Sequence, residues 1–178
     1  MADSGAVRDV DVPPADPTVS GHPVATIATS AGDITVTLDA EKTACTTNSF
    51  ASLASQQYFD DTQCHRLTTS GIYVLQCGDP SATGMGGPGY RFADETDGTE
   101  TYPAGTVAMA NTGQPVSNGS QFFLVYEDSM LPPSYTVFGQ MDDAGLQVVK
   151  DIAAKGGEGG IPDGAPAEPV TITSVTVK

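Results

Sequence analysis

The stretch Val107–Tyr126, VAMANTGQPVSNGSQFFLVY, decides how the rest of the chain is read. Two apolar runs of β type, Val107–Ala110 and Phe122–Tyr126, flank a polar, glycine-containing turn. Asn111, Asn118, Ser120 and Gln121 sit at the inner ends of both runs. Apolar, β-favouring residues bounded by turn formers predict a hairpin. Such a hairpin has two uses. It is a core element with a hydrophilic turn, or it is an apolar sheet with amides at its mouth. The second arrangement holds an extended peptide, with backbone partners for affinity and a pocket for selectivity. Composition alone favours the core hairpin.

Working outward, strand patterns recur on both sides. Val24–Thr29 and Asp33–Asp39 read as a hairpin around Ser30–Gly32, and Ile34, Val36 and Leu38 alternate with Thr35 and Thr37 as one buried face requires. Cys64–Thr68 and Ile72–Cys77 form a further pair joined at Thr69–Gly71, and Thr136–Gln140 is another strand. Val170–Val177 closes the chain, with a shift in apolar phase between Ile172 and Val175 that predicts a bulge.

Two helices lie near the ends of this array. In the first, Phe50, Leu53, Ala54, Gln57 and Tyr58 keep helical spacing with one polar exception, and Thr46 or Thr47 is the expected cap. Asp142 or Asp143 caps the second, which turns Leu146, Val149, Ile152 and Ala153 inward and stops at Gly156. About eight strands and two helices are best served by closing the sheet, which removes its free edges. The expected fold is mainly β: a closed eight-stranded antiparallel β-barrel capped by two α-helices.

Size and charge narrow the function. The chain has 178 residues, enough for one sizeable core, and 20 Gly with 13 Pro fit a turn-rich domain. Residues 1–22 are acidic and Pro-rich without periodicity, and are expected to be a flexible or polyproline-like linker to a domain at 23–178. A linker ahead of a domain suggests that something was once attached upstream; a membrane anchor would fit, and so would a natural N-terminal tail. Residues 1–21 lack the basic and apolar parts of a signal peptide, and no run approaches the roughly 18 apolar residues of a membrane span. The formal charge of −15 repels phosphate backbones, so nucleic acid is not an expected partner. There are three arginines, Arg8, Arg66 and Arg91, and only Arg66 falls inside an apolar strand pattern.

Several motifs invite other chemistry. Cys45, Cys64 and Cys77 lack CxxC spacing, and with two histidines they do not compose a metal site. Three reduced thiols are one expectation. If a bridge forms, Cys45–Cys64 is the preferred pair, because both flank the first helix and its loop. The glycine-rich segment Asp79–Gly89 lacks the Gly-Lys-Ser/Thr ending of a phosphate loop and reads as loop geometry. Asp94, Glu95, Asp97 and Glu100 read as a solvated acidic segment without EF-hand spacing. Asn118-Gly-Ser120 is formally a glycosylation sequon, disfavoured by its place beside the proposed groove.

MAN at Met109–Asn111, NGSQFF at Asn118–Phe123, VFG at Val137–Gly139 and HR at His65–Arg66 occur in the same order as the signature of the cyclophilin family of peptidyl-prolyl isomerases. The likeness runs from about Val24 to the C-terminus, and it implies the barrel fold already expected. It also implies prolyl isomerisation without a cofactor, in which Arg66 is the cation that stabilises the twisted amide. Gln76, Asn111 and Gln121 complete the catalytic set, the amides orienting the arginine and peptide and the Asn111 backbone bonding the substrate main chain. Anchored on Gln76, the alignment places Tyr73 and Val74 in the substrate pocket with Ala110, Thr112, Phe123, Met130, Leu131 and Tyr135. His65 is a packing residue, since isomerisation needs no proton transfer and no motif supplies a Ser–His–Asp triad.

Four departures from the family pattern stand out. Cys64 replaces an aromatic before the HR motif, and the stretch from Arg66 to Gln76 is two residues longer than usual. Met130 stands where many members carry tryptophan, and Tyr135 where many carry histidine. Loss of the tryptophan's flat area and indole N–H implies weakened affinity for cyclosporin. The expected partners are proline-containing peptides and unfolded polypeptides, met by a monomer. A non-catalytic proline-peptide module or holdase is the alternative. An exported or membrane-tethered extracytoplasmic location is favoured slightly over a cytoplasmic one.

Overall fold

The computed structural model describes residues 5–178. The strands are β1 (Val24–Thr29), β2 (Gly32–Leu38), β3 (Thr62–Gln63), β4 (Arg66–Thr68), β5 (Val74–Cys77), β6 (Thr106–Met109), β7 (Phe122–Val125), β8 (Val137–Met141), β9 (Asp163–Gly164) and β10 (Thr171–Val177). All pair antiparallel in one curled sheet of order β3-β10-β1-β2-β8-β6-β7-β5-β4-β9. Helices α1 (Ala44–Ser55) and α2 (Asp143–Ala154) complete the mainly β fold. The count differs from the eight strands expected, because two-residue ladders at β3 and β9 join the sheet. Those two ends of the sheet do not pair with each other. The bulge in β10 is present: Ala28 faces Ser174 while Thr29 faces Ile172, which leaves Thr173 as the extra residue.

Side-chain alternation explains why the central strands bury both faces. Val107 and Met109 of β6, Phe122 and Leu124 of β7, and Leu75 and Cys77 of β5 point into the main core. Their neighbours Ala108, Phe123, Val125 and Val74 point the other way, into a second apolar cluster with Tyr102. Inside the main core the rings of Phe50, Phe59, Phe122 and Phe138 pack with centroids 5.2–5.8 Å apart.

The second helix is capped as expected, Asp142 accepting from Gly145 N at 2.7 Å. The first is not. Thr46 and Thr47 lie inside α1, whose N-cap residue Thr43 makes no side-chain cap bond. The orphan amides of Cys45 and Thr46 instead donate to the two oxygens of Glu95, at 3.0 and 2.8 Å. Glu95 is thus a cap supplied from about fifty residues away, not part of a solvated segment. Its neighbour Asp94 is also committed, as described below, and Glu100 is buried, accepting from the amides of Asp97 and Gly98.

Residues 5–22 form no helix or strand, yet they lie against the domain rather than apart from it. Val7 N donates to Gly87 O at 3.0 Å, and Arg8 Nη1 donates to the carbonyls of Tyr58 and Asp60 at 3.0 and 2.6 Å. Asp11 N donates to Gln56 Oε1, and Asn48 of α1 accepts from Thr18 N and donates to Pro14 O. Residues 46–51 of α1 are buried consecutively, with Asn48 held by the strap, Thr46 by Glu95 and Ser49 by the Tyr90 hydroxyl. The helix has the curled sheet on one side and the strap on another. The start of the expected linker, residues 1–4, lies outside the described residues. No described helix is long and apolar enough to cross a membrane.

A disulfide links Cys64 and Cys77, and Cys45 is free and exposed. The preferred Cys45–Cys64 pairing is therefore corrected. Antiparallel β4–β5 pairing, with Arg66 opposite Gln76, carries Cys64 and Cys77 to neighbouring positions with Cα atoms 4.0 Å apart. Cys45 sits in the outward first turn of α1.

Candidate active site

Strand register builds the site. Arg66 lies opposite Gln76, Gln76 opposite Phe123, and Phe123 opposite Ala108. This row crosses β4, β5, β7 and β6 on the face away from the main core. Two residues along the strands, on the same face, Gln121 and Ala110 extend it, joined by Ala110 N donating to Gln121 O at 3.0 Å.

The polar members of the row form a relay. Arg66 Nη1 donates to Gln76 Oε1 at 3.2 Å, and Gln76 Nε2 donates to Gln121 Oε1 at 2.8 Å. Gln121 Nε2 then donates to the carbonyls of Gly84 and Gly86, each at 3.0 Å. The other edge of the Arg66 guanidinium is held by Asp163, with Nε to Oδ1 at 2.7 Å and Nη2 to Oδ2 at 2.9 Å. This bidentate bond, more than any other influence, raises the arginine pKa and lowers that of the carboxylate.

The glycine-rich loop at the end of the relay is organised by Asp79, which is fully buried. Its Oδ1 accepts from Ser81 N and Ser81 Oγ, and its Oδ2 accepts from Gly84 N at 2.7 Å and Gly86 N at 3.0 Å. Burial raises the Asp79 pKa, but these bonds to the ionised form outweigh it and the net shift is downward. Gly86 is required here by proximity, since a β-carbon on it would collide with the Asp79 carboxylate.

Between the loop and β6 lies a cavity of about 300 Å³, lined by Gln76, Gln121, Ala110, Asn111 and Thr112 together with the loop itself. The Asn111 side chain is committed within the protein: Nδ2 donates to Asp94 Oδ1 and Ser134 O, and Oδ1 accepts from Gly113 N. What it offers the cavity is main chain. Asn118 is fully buried and also donates to Asp94 Oδ1, at 2.8 Å, so the sequon asparagine is enclosed by the fold.

Beside the cavity is the second apolar cluster. Phe123 meets Tyr135 edge-on at 5.6 Å and Tyr102 at 6.3 Å, with Leu131 packed alongside. Tyr102 escaped the sequence reading because it stands in a featureless T-Y-P context. Its hydroxyl donates to the carbonyls of Pro132 and Tyr135 and accepts from Tyr135 N, which fixes the loop carrying Leu131 and Tyr135.

The anticipated residues thus gather unevenly. Arg66, Gln76 and Gln121 share one relay. Asn111, Ala110 and Thr112 share the cavity with the two glutamines, and Val74, Phe123, Leu131 and Tyr135 share the cluster. Tyr73 is not brought there: it packs against the main core, edge-on to Tyr126 at 5.9 Å, while Ile72 joins Val74 by strand alternation. Met130 is 94% exposed. His65 is half-buried beside the glycine loop, its buried Nδ1 lacking a partner and its pKa lowered chiefly by desolvation. Asp163, Asp79, Asp94 and Tyr102 were not anticipated. Only Asp79, in D-P-S-A-T-G, carried a local signal, that of an Asx-type turn.

A sheet face that sets a clamped cation beside amides, an aromatic cluster and free main chain has the parts of a peptide-binding isomerase. Residues 24–177 match the family described as cyclophilin type peptidyl-prolyl cis-trans isomerase/CLD. The chain belongs to that family. It is 51% identical over 176 residues to a Mycobacterium leprae protein named Probable peptidyl-prolyl cis-trans isomerase B, covering 91% of this chain and 58% of that one. It is 49% identical over 185 residues to the protein of the same name in Mycobacterium tuberculosis, covering 96% and 60%. The chain therefore spans less than two thirds of the length of these relatives. A crystal structure of a Cryptosporidium parvum cyclophilin type peptidyl-prolyl cis-trans isomerase in the presence of dipeptide ala-pro superimposes with TM-score 0.76 at 26% identity, covering 87% of this chain and 98% of that one.

Proposed function

We propose that this domain accelerates rotation about X–Pro bonds in peptides and folding polypeptides. An X–Pro bond prefers trans by only about 0.5–1 kcal/mol but turns over a barrier of roughly 18–20 kcal/mol, which is amide resonance. Catalysis requires a surface that binds the twisted amide better than the planar one. Twisting frees the lone pair of the prolyl nitrogen, and a fixed cation donating a hydrogen bond to it stabilises that state selectively. Each 1.4 kcal/mol gained is about tenfold in rate.

In this reading Arg66 is the cation, with Gln76 and Gln121 fixing its plane and the peptide's. The Asn111 backbone binds the substrate main chain. Phe123, Leu131, Tyr135 and Val74 receive the proline ring, and Ala110 and Thr112 border the preceding residues. Met130 lies on the rim, where it offers no indole to cyclosporin. The single observation that carries the reading is the row Arg66–Gln76–Phe123, which puts cation, amide and aromatic on adjacent strands of one face. The relative crystallised with ala-pro supports the substrate class. A protease-coupled assay on an Ala-Pro-Phe type peptide tests it: the domain is expected to outpace the thermal reaction, and Arg66→Ala to lose that advantage while remaining folded.

We also infer that the sheet is a closed eight-stranded barrel. Supporting this, Thr62–Thr68 acts as one bent strand whose start pairs with β10 and whose end pairs with β5. Counting β3 and β4 as one strand, and setting aside the two residues of β9, leaves eight. In the same spirit we propose that residues 23–178 form the isomerase domain and that the strap ahead of them steadies α1 and the glycine loop.

A further inference from the structure

We propose that Asp163 is a positioning residue for the isomerase site, fixing the Arg66 guanidinium so that two defined N–H groups face the prolyl amide. This rests on Arg66 being the catalytic cation. A guanidinium has five N–H donors. Asp163 takes the Nε–H and one Nη2–H, and Gln76 takes one Nη1–H. Two donors remain, one on each terminal nitrogen. They lie in a plane fixed from two sides.

Asp163 is delivered to this place by the backbone. β9 pairs with β4, Thr68 lying opposite Asp163 and Leu67 opposite Gly164, and Thr69 N donates to Pro162 O at 2.9 Å. Arg66 and Thr68 share a face, so Asp163 is the diagonal cross-strand neighbour of Arg66. A carboxylate at this position meets the guanidinium edge in a bidentate fork, a geometry that one oxygen or a neutral amide cannot reproduce. Both side chains are partly solvated, 37% and 57% exposed, so the pair contributes orientation rather than a large share of fold stability. Without it the Nε–Nη2 edge is free to turn, and two further donors compete for the prolyl nitrogen and for water.

The test measures kcat and KM separately by exchange NMR on a saturating Ala-Pro peptide, for wild type, Asp163→Ala, Asp163→Asn, Asp163→Glu, Arg66→Ala and Arg66→Ala/Asp163→Ala. Asp163→Ala and Asp163→Asn are expected to lower kcat by about tenfold, equivalent to ~1.4 kcal/mol, with KM changed by less than about twofold. Asp163→Glu, which keeps both oxygens, restores most of the loss. On the Arg66→Ala background Asp163→Ala has no further effect. If Arg66→Ala abolishes catalysis while Asp163→Ala and Asp163→Asn keep wild-type kcat, the positioning role is refuted and the isomerase reading stands. If wild type does not catalyse, both fall together, whereas full activity in Arg66→Ala refutes the positioning role and Arg66 as the cation and leaves the isomerase reading standing. A loss that tracks a lowered melting temperature, equal in kcat and KM and unrelieved by glutamate, also refutes positioning.

Discussion

Replacing Asp79 with asparagine tests whether the glycine-rich loop is held by a buried carboxylate. In the native protein Oδ2 accepts from Gly84 N and Gly86 N, while Oδ1 accepts from Ser81 N and Ser81 Oγ. Asparagine has one acceptor oxygen. With its NH₂ turned toward Ser81, whose hydroxyl can rotate to accept from it, one bond is left unmade, that from Ser81 N. An unsatisfied donor costs about 1–3 kcal/mol, and because Ser81 is exposed the lower part of that range applies, giving about 1–2 kcal/mol. For a chain of this length each kcal/mol lowers Tm by about 2–4 °C, so a fall of roughly 2–8 °C is expected. Function should follow, because Gly84 O and Gly86 O anchor Gln121, and through it Gln76 and Arg66. Loss of about one hydrogen bond's worth of order, ~1 kcal/mol, predicts a fall in kcat/KM of about fivefold. The pH sign is also fixed. The folded Asp79 pKa is lowered, so its contribution is complete above the ordinary value of 3.8 and disappears as pH falls through the lower folded value. Wild type should therefore lose more stability than Asp79→Asn on acidification through that window. Thermal melts by circular dichroism at neutral and acid pH, with kcat/KM alongside, decide the matter. A variant that melts within about 2 °C of wild type with unchanged kcat/KM would refute the reasoning.

Further expectations concern the scaffold and the rim. Glu95→Ala should cost about 1–2 kcal/mol through loss of the α1 cap, read as a Tm decrease of about 2–8 °C, and a melt superimposable on wild type would contradict the long-range cap. A thiol reagent should titrate Cys45 alone in the native protein and all three cysteines after reduction and unfolding, whereas three native thiols would rule out the Cys64–Cys77 bridge. Replacing Cys64 and Cys77 together by serine should destabilise by about 3 kcal/mol for a loop of this size, with the fold retained in circular dichroism. Cyclosporin should inhibit more weakly than nanomolar, since Met130 extends into solvent without an indole, and nanomolar inhibition would remove that argument.

What could be read from the sequence follows from the range of each interaction. The β6 and β7 strands were legible because alternation and turn residues are local. The relay of Arg66, Gln76 and Gln121 was legible only through a familiar motif order. Asp163 was not, because it stands 97 residues from Arg66 and reaches it through a two-residue strand too short to pattern. Glu95 and Asp94 looked like solvated charge because a carboxylate's partner cannot be inferred when it is an amide 49 residues earlier or a side chain 24 residues later. The cysteine pairing went astray for the same kind of reason. Cys64 and Cys77 flank a short hairpin, but that hairpin's register had to be known before they could be matched. Tyr73 shows the limit of alignment along an extended run, where adjacent residues face opposite sides and only the structure says which side Tyr73 takes.

The central claim is that Arg66 stabilises a twisted prolyl amide, and the most direct measurement is the cis–trans exchange rate of an Ala-Pro peptide at equilibrium. Magnetisation-exchange NMR reports it without a coupling protease. The account predicts exchange far above the thermal rate with catalytic wild type, and a collapse of about a hundredfold or more in Arg66→Ala, as expected for removal of one transition-state donor. Peptide resonances should still shift on binding in the variant. Exchange undiminished in a folded Arg66→Ala protein would contradict it.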